Sequence, residues 1–264
     1  MSAQHLLAKT FSDEAPGLGL FDWKPIFYIG SVGITKPMIL VLLVGLIVVA
    51  FFWAAFAKPK LVPRGAQNVG EVLYVFVREQ IARPMLGKDA EKWMRLLVPV
   101  FFFVWVGNLM SIIPFAQFPV NSKIAFPAFL AVMIWVLMIG LGIKHQGLFG
   151  YFKNFMFPPG LPIFIYPLLA AIEFVSTIFV RPFTHAVRLF ANMFAGHLLV
   201  ALFCVVGYHF LVEQVTPLGV PVGILGVILT IAMTVFELFV QAVQAYVFTL
   251  LAAFYISSGL HADH

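Results

Sequence analysis

The sequence predicts an all-α integral membrane protein with about five transmembrane crossings and one amphipathic helix at the inner membrane surface. Of its 264 residues, 62% are hydrophobic and 10% are charged, whereas soluble domains contain about 25% charged residues. Apolar runs long enough to cross a bilayer recur along the chain. Basic residues are concentrated in one loop, as in membrane proteins whose orientation is set by loop charge.

The predicted organisation is an N-terminal flank followed by a single transmembrane domain. Residues 1–37 are interrupted by Pro and Gly, so we expect an irregular or partly helical flank on the outer side. Residues 38–264 form the transmembrane domain. Its spans are expected at 38–57, 96–118, 124–143, 165–212 and 222–258.

Loop charge sets the predicted orientation. Residues 58–95 hold eight Lys or Arg, so this loop is expected on the cytoplasmic side. Within it, apolar side chains recur at helical spacing over 67–83, which predicts an amphipathic helix on the membrane or against a partner. A solvated loop helix is the alternative. Residues 146–167 are rich in Gly and Pro and predict a second inner loop. Five crossings in the cell inner (plasma) membrane then leave the N-terminus outside and the C-terminus in the cytoplasm.

The last two spans are too long for a perpendicular crossing. A helix over residues 222–258 would be about 55 Å long, against a hydrocarbon thickness of about 30 Å. No turn signal interrupts 227–256, which favours one helix over two short ones. We therefore expect a steeply tilted helical hairpin packed against a large, curved partner.

A polar stripe runs along the penultimate span. At about 100° per residue, its members fall within an arc of about 160°. Ionisable groups at membrane depth cost about 2.5–3.5 kcal/mol each on insertion scales, so such a stripe indicates function. His185 lies on nearly the same face, where it either lines a path or packs. The members of the stripe are Glu173, Ser176, Thr177, Arg181, Thr184, Arg188 and Asn192.

The last span carries a matching polar face. Glu237, Gln241 and Gln244 follow an i, i+4, i+7 spacing. A hairpin that brings Glu237 near His197 would create a buried acid–base pair able to relay protons. Arg188 cannot relay, because its guanidinium stays protonated. It would block hydronium and favour the ionised form of a carboxylate that faces it.

Structural explanations remain open for several of these residues. Arg181 could extend its charge to the inner surface, and Glu173 could interact with a helix start. His197 could be satisfied by a backbone carbonyl. Asn108, at the outer end of the second span, could line a channel or make a hydrogen bond between helices.

The run Arg-Leu-Phe-Ala-Asn-Met-Phe-Ala-Gly-His at 188–197 and the polar face within 236–248 resemble subunit a of the F-type ATP synthases. The resemblance covers about residues 30–260, and the Arg-Pro-Phe-Thr-His sequence at 181–185 is similar to the actinobacterial branch. It implies a proton-conducting, non-catalytic stator subunit without a cofactor or metal. The sequence contains no GxxxxGK[ST] motif, so ATP chemistry is expected in partner subunits. The implied partners are the c-ring, the subunit b peripheral stalk, the remaining ATP synthase subunits, lipid and protons, with no nucleic acid.

The resemblance also implies roles for individual residues. The arginine matching Arg188 faces the essential carboxylate of the c-ring. The outer half-channel is expected to contain Asn192, His197, Glu237 and Gln244, with Gln241 on the same face and Asn108 and Ser111 at the mouth. The inner half-channel is expected to contain Glu173, Ser176 and Thr184, with Thr177 and His185 beside them.

The chain differs from some family members in two respects. Some members exchange the histidine and the acid of the His197–Glu237 pair, and some carry Asp where this chain has Ser111, whose role stays open. A sodium-using subunit a is an alternative. A cation/proton secondary transporter is another, although inverted repeats are not evident. A respiratory-complex subunit would need paired haem ligands, and His185 and His197 lie on different faces.

Overall fold

The computed structural model describes residues 25–113, 116–156, 164 and 166–260. Most of them are helical. Three π-helical turns, Arg78–Ala82, Ser176–Val180 and His209–Glu213, extend or join the helices. The strands and α-helices are β1 (Phe27–Ile29), β2 (Val32–Ile34), α1 (Lys36–Phe56), α2 (Ala66–Val77), α3 (Arg83–Leu86), α4 (Ala90–Leu109), α5 (Ala125–Gln146), α6 (Leu148–Met156), α7 (Tyr166–Val175), α8 (Arg181–Tyr208) and α9 (Gly219–Leu260).

Five helical stretches of the described chain are long and apolar enough to cross a membrane, which confirms the predicted number of crossings. The predicted amphipathic helix corresponds to α2 and the helical turns that follow it. Gly87, at φ +53°, interrupts α-helical geometry before α4. The five stretches are Lys36–Phe56, Ala66–Leu109, Ala125–Gln146, Tyr166–Glu213 and Gly219–Leu260.

The fold is built around α9. This helix is continuous over 42 residues, as the lack of a turn signal indicated, and is about 63 Å long. It packs against α8, α5 and α4. Buried side chains from α4 and α9 share one core, including Leu97, Phe101, Phe248 and Ile256. The excess length of α9 over a bilayer requires either an oblique path or an extension beyond the hydrocarbon.

Glycines allow α8 and α9 to approach closely near their connection. A Cβ added to Gly226 would lie 2.7 Å from the backbone nitrogen of Gly207. No real Cβ tolerates such a distance, so the two backbones are in direct contact there. Small residues at helix interfaces have this role in membrane proteins.

The second span ends earlier than its apolar sequence suggested. The prediction ran to residue 118, whereas α4 ends at Leu109. The chain then reverses, and the Phe118 N–H donates to the Met110 carbonyl. Phe118 and Val120 are buried against α1. A buried returning loop is as apolar as a helix, so hydropathy could not separate the two. Residues 114–115 of the predicted span lie outside the described residues.

Two loop predictions are corrected. Residues 27–34 form an antiparallel hairpin instead of an irregular or helical segment, with Ile29 opposite Val32. Gly30, at φ +62°, occupies the first turn position, as in a type II′ turn. Within the predicted inner loop 146–167, residues 148–156 form α6, because its prolines begin only at Pro158. Residues 1–24 of the predicted flank, residue 165 of the fourth span and residues 261–264 lie outside the described residues.

The contact between Gly207 and Gly226 predicts that a side chain at position 226 separates α8 from α9. Gly226→Leu should lower the thermal unfolding midpoint of the purified protein, since overpacking costs about 1–3 kcal/mol. Gly140→Leu is the matched control, because a Cβ at Gly140 meets nothing within 4 Å. Equal midpoints for the two variants would contradict the close contact.

Candidate functional site

Arg188 lies in the middle of the 48-residue stretch Tyr166–Glu213. Its side chain is exposed at the surface of the chain. Among the described residues it makes no ion pair or hydrogen bond. Its charge therefore has no partner of opposite sign among the described residues, at a depth where an unpaired charge is costly.

Asn192 links the surface near Arg188 to the interior. It lies one turn further along α8, and its Nδ2 donates to Oε1 of Gln244 on α9, at 2.7 Å. Gln244 is 4% exposed. The Asn192–Gln244 hydrogen bond thus joins α8 and α9 next to the arginine.

A second set of hydrogen bonds lies on α9, nearer its start than Gln244. The fully buried Gln241 donates through Nε2 to Oγ of Ser111, at 2.6 Å, and to Oε1 of Glu237, at 3.3 Å. Ser111 follows the end of α4. Side chains from two segments distant in sequence therefore surround the buried Glu237 carboxylate.

Glu237 and His197 line the same cavity, which has a volume of about 470 Å³. Its walls come from α8, α9 and the segment after α4, and its lining includes the hydroxyl groups of Ser111 and Thr234. Residues at and near the helix ends complete it: Lys36, Gln117 and Cys204. The cavity can hold several water molecules, since one occupies about 30 Å³ in the liquid.

Asn108 has a different environment from the one expected at a channel mouth. It is fully buried, and its Oδ1 accepts a hydrogen bond of 2.7 Å from Nδ2 of Asn121. It is not among the residues that line the cavity. The sequence analysis did not single out Asn121, which also lies within 3.5 Å of the Val104 carbonyl. This amide pair fixes the loop before α5 to α4.

The part of the polar stripe before Arg188 divides into two groups. Glu173 and Arg181 form an ion pair of 3.8 Å across the π-helical turn Ser176–Val180. Ser176 is half-buried, and Thr184 is exposed and donates to the Val180 carbonyl at 2.7 Å. These four side chains are at least partly accessible.

Thr177 and His185 instead point into the protein. Both are 2% exposed. The His185 ring stacks on Phe248 of α9 with centroids 3.9 Å apart. The carbonyl of Thr177 accepts a 2.8 Å hydrogen bond from the Trp135 indole. The π-helical turn contains one more residue than an α-helical turn, so a wheel with a constant angle loses register between Thr177 and Arg188. His185 follows the turn, within α8, where it packs on Phe248, one of its two predicted alternatives.

The sequence matches the family model described as ATP synthase A chain over residues 38–257. The chain belongs to this family. Among curated proteins, the ATP synthase subunit a of Streptomyces lividans is 46% identical over 253 residues, which cover 95% of this chain and 89% of the relative. The subunit a of Rhodococcus erythropolis is 41% identical over 276 residues, covering 100% of this chain and 99% of the relative.

A third relative, the ATP synthase subunit a of Frankia alni, is 43% identical over 240 residues, covering 89% of this chain and 82% of the relative. These organisms are actinobacteria, which confirms the branch indicated by the sequence at 181–185. Membership of the ATP synthase A chain family makes this chain a multi-pass subunit of the membrane sector of an F-type ATP synthase, associated with other subunits of that complex.

The Asn192–Gln244 hydrogen bond predicts energetic coupling between α8 and α9. Asn192→Leu leaves the Gln244 amide buried and unpaired, so the free energy of unfolding should fall by about 1–3 kcal/mol. Adding Gln244→Leu should cost less than the sum of the two single changes. Thermal unfolding of the single and double variants measures this difference, and additive effects would show that the two amides do not interact.

Proposed function

We propose that this chain is the proton-conducting stator subunit of its ATP synthase. Two offset half-channels carry protons to and from a carboxylate of the c-ring, and Arg188 separates them. The observation that carries this proposal is the exposed, unpaired guanidinium in mid-span, next to a buried series of polar side chains.

The surface around Arg188 suits a membrane partner with an acidic group. Large apolar side chains on the same two helices are exposed, among them Phe183, Phe239 and Val243. A surface of this kind can contact either lipid or another membrane helix, but a guanidinium facing lipid would be costly. A partner that presents a carboxylate removes that cost, and the c-ring is such a partner.

The outer half-channel begins in the cavity that His197 and Glu237 line. From there, hydrogen-bonding side chains continue through Gln241 and Gln244 to Asn192. Imidazole and carboxylate groups can exchange protons, and amides can hold bridging water. His197 and Arg188 are nine residues apart on α8, or about 13 Å, so this path ends beside the arginine.

The inner half-channel lies on the cytoplasmic side of Arg188. Glu173, Ser176 and Thr184 are accessible from the chain surface, so in this proposal they border a path between α7–α8 and the ring. Thr177 and His185 stabilise the packing of the same segment. This distribution leaves the two paths on opposite sides of the arginine.

A permanent charge between the paths couples proton flow to rotation. Arginine stays protonated, so it repels hydronium while attracting a ring carboxylate. A proton can then cross the membrane only while it is bound to a carboxylate of the rotating ring. The membrane potential contributes about 2.3 kcal/mol per charge per 100 mV. The chain itself is non-catalytic, and ATP chemistry takes place in partner subunits.

The proposed orientation in the membrane follows from the loop charges. The N-terminus is outside, the C-terminus is cytoplasmic, and the chain lies in the plasma membrane. The basic loop 58–95 is then on the side of the peripheral stalk, where subunit b is the proposed neighbour.

The two alternatives fit the geometry less well. A self-contained cation/proton transporter binds its ion between its own repeats, whereas Arg188 is exposed and has no acidic partner among the described residues of this chain. A sodium-using subunit would favour oxygen ligands, whereas His197 supplies an imidazole to the cavity, which favours protons.

Arg188→Ala should abolish proton-driven ATP synthesis in membrane vesicles, because nothing would then separate the two paths. Arg83→Ala is the matched control, since Arg83 is an exposed arginine paired with Glu79 at the inner surface. Co-purification of the ring with each variant would verify assembly. Normal synthesis by an assembled Arg188→Ala complex would refute the role.

Cys204 provides a test of the orientation. It is the single cysteine of the chain, is exposed, and lines the cavity with Glu237. A membrane-impermeant maleimide added outside intact cells should therefore label it, and Cys204→Ser should remove the signal. Glu79→Cys in the C204S background should label only in inverted vesicles. Labelling of Cys204 only from the cytoplasmic side would contradict the proposed orientation.

A further inference from the structure

A second cavity lies between α1, α2 and α4, away from the α8–α9 site. Its volume is about 720 Å³, within the range of about 300–1,000 Å³ typical of small-molecule sites. It is lined by Phe52, Phe56, Glu71, Tyr74, Val75, Glu91, Met94, Arg95, Val98 and Pro99.

The lining changes from charged to apolar along α4. Glu91, Arg95 and Pro99 follow one another at four-residue intervals, about 6 Å each. The charged residues are at the end of α4 next to the basic loop, and Pro99 lies deeper in the span. Phe52 and Phe56, in the last turns of α1, form the facing wall. The cavity therefore has the polarity of an amphiphile whose polar end is at the membrane surface.

The charged end offers both an acceptor and a donor. Arg95 is exposed and makes no ion pair or hydrogen bond among the described residues. One oxygen of Glu71 accepts a 2.7 Å hydrogen bond from Gln67, and its other oxygen has no partner in the described part of the chain. Glu91 is paired with Arg78. The cavity thus presents a free guanidinium and a free carboxylate oxygen to one ligand.

We propose that this cavity binds a membrane phospholipid with a primary-amine headgroup, that is, a phosphatidylethanolamine. Arg95 binds the phosphate, in the planar geometry that guanidinium groups offer to phosphate oxygens. Glu71 accepts a hydrogen bond from the ammonium group, and the acyl chains lie along Phe52 and Val98. The bound lipid connects the amphipathic helix α2 to α1 and α4.

Charge and hydrogen bonding select this headgroup. An anionic glycerol headgroup would satisfy Arg95 but would offer Glu71 neutral hydroxyl donors and no positive charge. A choline headgroup carries a positive charge but no N–H donor. A primary amine offers Glu71 both a positive charge and an N–H donor. The inference concerns helices outside the proposed proton path, so it does not depend on the role of Arg188.

The test is lipid retention by the full-length chain within its purified ATP synthase. Phospholipids that remain after detergent washing are extracted and quantified by mass spectrometry. Arg95→Gln and Glu71→Gln should each reduce retained phosphatidylethanolamine roughly tenfold, the loss expected for one charge-assisted hydrogen bond. Glu79→Gln is the matched control, because Glu79 does not line the cavity, and it should retain the wild-type amount.

A second measurement does not depend on variants that could fail to fold. Phosphatidylethanolamine added to the delipidated wild-type complex should raise its thermal unfolding midpoint, whereas phosphatidylcholine and phosphatidylglycerol should not. Equal effects of the three lipids would overturn the proposal. Retention of phosphatidylglycerol instead of phosphatidylethanolamine by the wild-type complex would also overturn it. So would the absence of any retained phospholipid, the result expected if another subunit fills the cavity.

Discussion

The contact between α8 and α9 determines where most side chains of the proposed outer path lie. Near the connection between the two helices, their backbones touch at Gly207 and Gly226. Near its middle, Asn192 and Gln244 are hydrogen-bonded. Little hydrophobic driving force is available between helices in a bilayer, so packing and hydrogen bonds must hold them together. The same amide pair thus fixes the helices and provides polar groups beside the arginine.

The polar side chains of the two helices have two different environments. Glu237 and Gln241 are buried in hydrogen bonds within the chain, whereas Arg188 is left at the surface. Buried polar groups need partners from their own fold. An exposed charge in mid-span needs a partner from elsewhere, which in the proposed function is supplied by the assembled membrane sector.

Much of the fold was predictable because the signals were long and periodic. The five crossings, the single long last helix and the matching polar face at Glu237, Gln241 and Gln244 all follow from apolar length or helical spacing. The end of α4 was not predictable, since the buried residues Phe118 and Val120 are as apolar as a helix. Asn121 carried no periodic signal, because it lies in a loop whose path depends on tertiary contacts.

The helical register of the polar stripe changes at one short segment. The π-helical turn Ser176–Val180 places one residue more in the helix than an α-helical register allows. The number of residues in this turn can therefore change without altering α8. A one-residue deletion would restore α-helical geometry and rotate Glu173 by about 100° relative to Arg188, leaving the outer half of the helix in place. Related sequences that differ in length by one residue at this point would therefore present a different surface before Arg188 to the proposed ring.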